Sequence, residues 1–301
     1  MKLLCTDLDR TLLPNGMQAE SVHARPLLWH LLKTHELVLA YVTGRDLARV
    51  LDAVNEYALP LPDVIVGDVG STIYMQAGAG WENNKDWQQM IARQWAGRDS
   101  AYIHELLVGI NGLQVLEADR QTAFKRSYYV KATENESELQ RQIEMRLADK
   151  GISAALVFSH DPEKQCGLLD VLPGLATKRE AVAYLQSVFE LTERDVLFAG
   201  DSGNDVSAIC AAHPAVLVAN ADDDTRKKVY AENSQSPDPA LTYVASGGLE
   251  VVGQDSLNGF YAAGIVEGLI HFRPEWRQHL SDASWVEAAM QDANIHNSQE
   301  Q

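Results

Sequence analysis

Residues 2–11 read Lys-Leu-Leu-Cys-Thr-Asp-Leu-Asp-Arg-Thr (KLLCTDLDRT), and the placement of this stretch decides the fold. Lys2 to Thr6 is a short apolar run, the pattern of a strand buried on both faces. It delivers Asp7 to the strand's C-terminal end, and Asp9 follows two residues on, pointing the same way. Working outward, Val22, Leu27, Leu28, Leu31 and Leu32 recur at helical spacing and predict a helix over 21–34. LVLAYVT at 37–43 is a second buried strand, and Leu47, Val50, Leu51 and Val54 return to helical spacing over 45–57. Val64 to Gly67 is a third strand, and Gly70-Ser71 turns into a fourth over 72–75. Buried apolar strands separated by helices predict an α/β fold with a parallel sheet covered on both faces.

The middle of the chain has a different texture. Residues 83–110 are polar, tryptophan-bearing and helical. Strands are expected at 113–116 and 123–130, the second with polar alternation through Lys125, Ser127 and Tyr129, the mark of an antiparallel sheet with one solvated face. A charged helix over 135–150 has Asn135 or Ser137 as its cap. Strands 152–159 and 167–172 flank the polar turn HDPEKQ at 160–165. The α/β texture then resumes with helices over 178–190, 204–212 and 261–272 and strands at 196–199, 215–219 and 241–244. Residues 233–240 and the Gly-rich 246–259 read as loops. The expected organisation is a discontinuous Rossmann-like, doubly wound core (1–82 and 171–280), an inserted smaller α+β domain (83–170) and a polar tail (281–301).

Composition narrows the function. The 301 residues are 46% apolar and carry 25 Lys plus Arg against 42 Asp plus Glu, a net charge of −17. Such a surface repels nucleic acid and anionic membranes, so neither is an expected partner. An anionic substrate must be met by local positive charge, a bound cation or backbone N–H groups. Cys5, Cys166 and Cys210 are far apart, with no zinc spacing and no disulfide framework. No secretory signal precedes the first strand, and no apolar run approaches the ~20 residues of a membrane span, so a soluble cytoplasmic protein is expected.

Four segments at strand ends carry chemistry, because ligands of open parallel sheets bind there. In the first, Asp7 and Asp9 are too close to ionise together comfortably without a cation; one can attack while the other moves a proton. Two acidic loop residues are the alternative. In the second, Thr43-Gly44-Arg45 offers a hydroxyl and N–H groups to an anion, or else Thr43 is a helix cap. Lys178, at the start of a helix, is a phosphate-binding cation or a solvated lysine. In the fourth, Gly200-Asp201-Ser202-Gly203-Asn204-Asp205 combines turn glycines with oxygen ligands suited to a hard cation such as Mg²⁺.

Taken in this order, the four segments resemble the haloacid dehalogenase superfamily of phosphohydrolases. The resemblance implies that Asp7 attacks phosphorus and that Asp9 protonates the leaving alcohol and then activates water. It implies Mg²⁺ held by Asp7, Asp9, Asp201 and Asp205, with Ser202 beside them, and phosphoryl oxygens held by Thr43 and Lys178. The insert lies where the type C2 cap of that superfamily occurs. Within it the likeness is greatest to sucrose-6-phosphate phosphatases, through AYVTGR at 40–45, VGSTIY at 69–74, FKRSYYV at 124–130, LVFS at 156–159, DVLP at 170–173 and GDSGND at 200–205.

By that likeness Lys125 and Tyr128 face the sugar, Gly70, Ser71 and Asn220 line the cleft, and Thr11, Gly44, Arg45 and Asn204 add substrate contacts. Arg10 stands where Gly or Asn is common, and Arg179 where Gly is usual. The expected function is hydrolysis of sucrose 6-phosphate, with a sucrose-phosphate synthase as a candidate partner. The alternatives are another glycosyl phosphate (mannosylfructose phosphate, mannosyl-3-phosphoglycerate, glucosylglycerol phosphate), a phosphomutase, or a silent phosphatase-like module.

Overall fold

A computed structural model describes residues 1–78, 80–131, 135–161, 166–251 and 256–281, without the side chains of His160 and Asp161. The expected tail beyond 281, residues 162–165 of the HDPEKQ turn and residues 252–255 of the Gly-rich stretch lie outside the described residues. In chain order the elements begin with β1 (Leu3–Thr6), α1 (Ala24–Thr34), β2 (Val38–Val42), α2 (Leu47–Glu56), β3 (Val64–Gly67), β4 (Thr72–Ala77) and β5 (Gly80–Asn83). There follow α3 (Lys85–Ala92), α4 (Ser100–Leu107), β6 (Leu113–Val115), β7 (Arg126–Val130), α5 (Glu136–Ala148), β8 (Ala154–Asp161) and β9 (Cys166–Pro173). The last are α6 (Lys178–Val188), β10 (Val196–Gly200), α7 (Val206–Ile209), β11 (Ala215–Leu217), α8 (Asp223–Asn233), β12 (Thr242–Val244) and α9 (Ala262–Phe272).

The chain forms two compact units: residues 1–42, 51–63 and from 186 on, and residues 43–50 with 64–185. In the first unit the strands run in the order β12-β11-β10-β1-β2, every pair parallel. β1 is the pivot, with Leu3 opposite Val196 on one side and Val38 on the other. The chain moves from β1 to β2 in one direction and through β10, β11 and β12 in the other. Right-handed crossovers then place the two sets of helices on opposite faces, a doubly wound sheet. Accordingly α7 packs on β10, β11 and α8, whereas α9 packs on β11, β12 and α1. Both faces are covered, which is why β1 and β10 are buried along their whole length and read as unbroken apolar runs.

In the second unit β3, β4 and β5 form an antiparallel meander. A separate antiparallel sheet has the order β6-β7-β9-β8. Its apolar face meets α4 and α5 over a core that includes Trp95, Ile103, Tyr128, Ile143, Leu169 and Val171. The helices start where side chains meet their first N–H groups: Asn84 for α3, Asp99 for α4 and Asn135 for α5.

Several expectations change. The helical stretch 83–110 is two helices, broken where Ala96 and Gly97 take positive φ. The helix over 204–212 contracts to Val206–Ile209 behind a tight turn. α8 has no counterpart in the sequence reading, because only Thr225 and Val229 are buried in it and so narrow a stripe gives no periodic signal. The 123–130 strand starts at Arg126, and of the alternating polar residues Lys125 and Ser127 are buried, at 6% and 2% exposed, while Tyr129 is half-buried. No described helix is long and apolar enough to cross a membrane.

Candidate active site

In the first unit, β1 and β10 are parallel neighbours, so their C-terminal ends lie side by side. The pairing extends to Asp7, whose N–H donates to the Ala199 carbonyl at 2.9 Å. Asp201 follows directly on β10, and the turn after it returns Asp205. Asp7, Asp201 and Asp205 are 5%, 1% and 0% exposed. One carboxylate oxygen from each lies within 4.8 Å of the others.

The surroundings fix each carboxylate. Asp205 Oδ2 accepts from the N–H groups of Asp201 (3.2 Å) and Ser202 (3.1 Å) and faces the Ser202 hydroxyl at 3.0 Å. Gly200 allows this return, since a Cβ there would lie 2.6 Å from Asp205 Cβ and Cγ. Asp201 Oδ1 accepts from the Thr11 hydroxyl at 3.0 Å, and its Oδ2 lies 3.3 Å from Arg10 Nε. Three buried carboxylates this close repel one another, and an all-oxygen donor set fits a hard divalent cation.

The Ser202 hydroxyl, expected beside the metal, lies 3.0 Å from both Asp205 Oδ2 and Asn204 Oδ1. Thr11, expected as a substrate contact, is fully buried with its hydroxyl on Asp201. Asn220 is likewise engaged at both ends, donating to the Arg10 carbonyl (2.6 Å) and accepting from Tyr261 N–H (3.0 Å). Asp9 accepts at Oδ1 from Asn15 Nδ2 at 2.7 Å.

In the second unit, Thr43, Gly70, Ser71 and Lys178 are held around one strained turn. Asp68, Val69 and Gly70 have φ of 51°, 64° and 113°, and two of these residues are not glycine. The turn is pinned because Val69 N–H donates to the Thr43 carbonyl and Asp68 N–H to the Arg45 carbonyl, both at 3.0 Å. Thr43 is fully buried, and its hydroxyl accepts from Arg45 N–H at 3.2 Å. Thr43 is not a helix cap, because α2 starts at Leu47 and Asp46 accepts from Arg49 N–H. A Cβ on Gly70 would lie 2.5 Å from Thr177 C and 3.0 Å from Lys178 N, so the turn abuts the start of α6. Thr177 accepts from Glu180 N–H, and Lys178, the first residue of α6, is 1% exposed. Ser71, expected to line the cleft, is buried with its hydroxyl donating to the Asp68 carbonyl.

Lys125 and Tyr128 do not share a role. Lys125 Nζ is paired with Asp68 Oδ1 at 2.6 Å, with both residues buried. Tyr128 is 2% exposed inside the apolar core beneath α4, its hydroxyl 3.2 Å from His104 Nδ1. Its expected place against a sugar is corrected by that burial. Burial also pushes the Asp170 carboxyl up, opposed by Lys125 and by the hydroxyl that Ser127 donates to it. Removing one partner of a buried pair leaves an uncompensated charge. Lys125→Ala should therefore cost about 3 kcal/mol of unfolding free energy in urea titrations, and Asp68→Asn with Lys125→Met should recover most of it. A loss below about 1 kcal/mol, the value for an exposed pair, would contradict this placement.

Sequence reasoning missed Asp68, Asn15 and the left-handed Arg10. Arg10 has φ of 59°, which accounts for Gly or Asn being common at that position in the resemblance. That preference was the available signal. Asp68 gave none, since its partner is 57 residues away.

The comparisons agree with this geometry. A HAD-like hydrolase of Nitrosococcus oceani is 39% identical over 295 residues, covering 97% of this chain and 75% of its own. The mannosylfructose-phosphate phosphatase of Agrobacterium fabrum is 28% identical over 206 residues, 68% of this chain and 77% of its own. A solved sucrose-phosphatase of Synechocystis, in complex with sucrose and phosphate, superposes with a TM-score of 0.69 at 24% identity, over 90% of this chain and 98% of that one. At that identity the likeness speaks for the fold. Residues 1–273 match the sucrose-6F-phosphate phosphohydrolase family. With Asp7 at the end of β1 and the carboxylates it faces, the match makes this chain a phosphoric monoester hydrolase of the haloacid dehalogenase superfamily, a member of the sucrose-6F-phosphate phosphohydrolase family.

Proposed function

We propose that this sugar phosphatase frees a fructose-containing disaccharide from its monophosphate, with sucrose 6F-phosphate as substrate and Mg²⁺ as cofactor. The observation that carries the reading is the buried group of Asp7, Asp201 and Asp205 in a chain whose first 273 residues match that family. The Asp7 carboxylate attacks phosphorus, the bond from phosphorus to the sugar oxygen breaks, and protonated Asp9 gives its proton to the departing oxygen. Asp9, now a carboxylate, takes a proton from water as that water attacks the aspartyl phosphate. The bond from phosphorus to Asp7 breaks, and both aspartates return to their starting states as phosphate leaves.

The phosphate and Asp7 are both anionic. A cation held by Asp7, the Asp9 carbonyl, Asp201 and Asp205 would supply the charge neutralisation that lets them approach. Thr43 and Lys178 take the phosphoryl oxygens in this reading. Gly44, Arg45 and Asn204 remain substrate contacts by resemblance. The 28% identity to a mannosylfructose-phosphate phosphatase supports a second substrate of the same class. An enzyme that makes such phosphate esters, such as a sucrose-phosphate synthase, would supply the substrate in the cytoplasm.

The test is phosphate release from sucrose 6F-phosphate, mannosylfructose phosphate, glucosylglycerol phosphate and mannosyl-3-phosphoglycerate, each with Mg²⁺ and with EDTA. Sucrose 6F-phosphate should lead by at least about tenfold in kcat/KM, equivalent to ~1.4 kcal/mol, and EDTA should abolish turnover. A lead for mannosylfructose phosphate would replace the substrate and keep the chemistry. Release only with a bisphosphate activator would point to a mutase. No release from any of them would overturn the proposal.

A further inference from the structure

The loop after Asp7 is tightly wound. The N–H groups of Thr11, Leu12 and Leu13 all converge on the Leu8 carbonyl at 3.2, 3.0 and 2.8 Å, and Leu8, Leu12 and Leu13 are fully buried. At its tip, Asn15 uses both ends of its amide on this loop. Nδ2 donates to Asp9 Oδ1, and Oδ1 accepts from Arg10 N–H, each at 2.7 Å. The left-handed turn at Arg10 presents that N–H, and the Arg10 carbonyl on its other side accepts from Asn220.

Asn15 is itself held in place. A Cβ on the next residue, Gly16, would lie 2.5 Å from the Tyr261 hydroxyl, so the loop tip meets Tyr261 at a distance only glycine permits. The Tyr261 hydroxyl bonds Gln18 at 3.2 Å, and Tyr261 N–H donates to Asn220. Asn15, Arg10, Asn220 and Tyr261 thus close a ring with the fully buried Tyr261 as its anchor.

We infer that Asn15 is a positioning residue that fixes the Asp9 carboxyl for proton transfer. The inference rests on Asp9 being the general acid and base of the proposed reaction. An amide donor 2.7 Å from one carboxylate oxygen restricts rotation of the group. The Arg10 contact serves a different purpose, holding the loop.

Asn15→Asp separates the two contacts. It keeps an acceptor for Arg10 N–H and replaces the donor facing Asp9 with a carboxylate. The readout is leaving-group dependence. A sugar alkoxide needs a proton to depart and p-nitrophenolate does not, and kcat/KM reports the steps up to phosphoenzyme formation. In Asn15→Asp, kcat/KM for sucrose 6F-phosphate should fall about 10- to 100-fold, while that for p-nitrophenyl phosphate falls less than about 3-fold. Asn15→Ala should show the same split, so the result does not depend on one variant folding.

Asp9→Asn, measured alongside, should show the split at least as strongly. Equal losses on both substrates in the Asn15 variants, or no loss, with a split in Asp9→Asn, would overturn the role of Asn15 alone. Absence of a split in Asp9→Asn would show that the general-acid reading has failed, and the inference with it.

Discussion

Asp7→Asn should lower turnover of every phosphate ester by at least ~10⁴-fold, the scale seen when a covalent nucleophile is deleted. The amide nitrogen lone pair is delocalised and the amide oxygen carries no full charge, so nothing at that position attacks phosphorus. The change should not weaken the fold. Asp7 is 5% exposed and grouped with two other buried carboxylates, and removing one charge relieves their repulsion. Thermal melts in EDTA should therefore place Asp7→Asn at or above the parent Tm, although it is inactive. Activity within tenfold of the parent, or a much lower Tm, would show that Asp7 is structural.

Gly70→Ala should have the second largest effect, and through backbone alone. An alanine at φ of 113° is strained, and its Cβ would lie 2.5 Å from Thr177 C and 3.0 Å from Lys178 N. Neither neighbour is the movable end of a side chain. The start of α6 must shift, and Lys178 with it. The expected costs are about 2–5 kcal/mol of stability from strain and overpacking and about 100-fold in kcat from displacing the ammonium proposed to hold the phosphoryl group. Gly78 is the control, since it too has positive φ (59°) but nothing within 4 Å of an added Cβ. Gly78→Ala should cost about 1 kcal/mol and leave kcat unchanged. Equal kinetic effects at the two positions would mean that the approach of Gly70 to α6 does not govern the site.

The parallel core was legible because burial on both faces leaves an unbroken apolar signature. LLCT, VLAYV and VLFAG are wholly or nearly buried, and each was expected as a strand within two residues of its bounds. The carboxylates were legible for a related reason. Asp7 and Asp201 follow such runs directly, and an acidic residue at the end of a buried strand stands out.

What was not legible depends on contacts distant in sequence. The polar alternation of Lys125 and Ser127 imitates a solvated face, and only Asp68 and Asp170 explain why both are buried. Tyr128 resembled a sugar-stacking aromatic, but α4 covers it. α8 carries eight polar or charged residues in eleven and is set by the Asp222 cap and two buried side chains. The left-handed turn at 68–70 has a glycine at only one of its three positions, so composition could not announce it.

The central claim is that phosphate passes through a covalent bond to Asp7. The most direct measurement is acid quenching during turnover of sucrose 6F-phosphate, followed by borohydride reduction and peptide mass spectrometry. Borohydride converts an aspartyl phosphate to homoserine and leaves free aspartate unchanged. The account predicts homoserine at residue 7, absent without substrate and absent in Asp7→Asn. Turnover with no reduction product at residue 7, or with the product at another carboxylate, would contradict it.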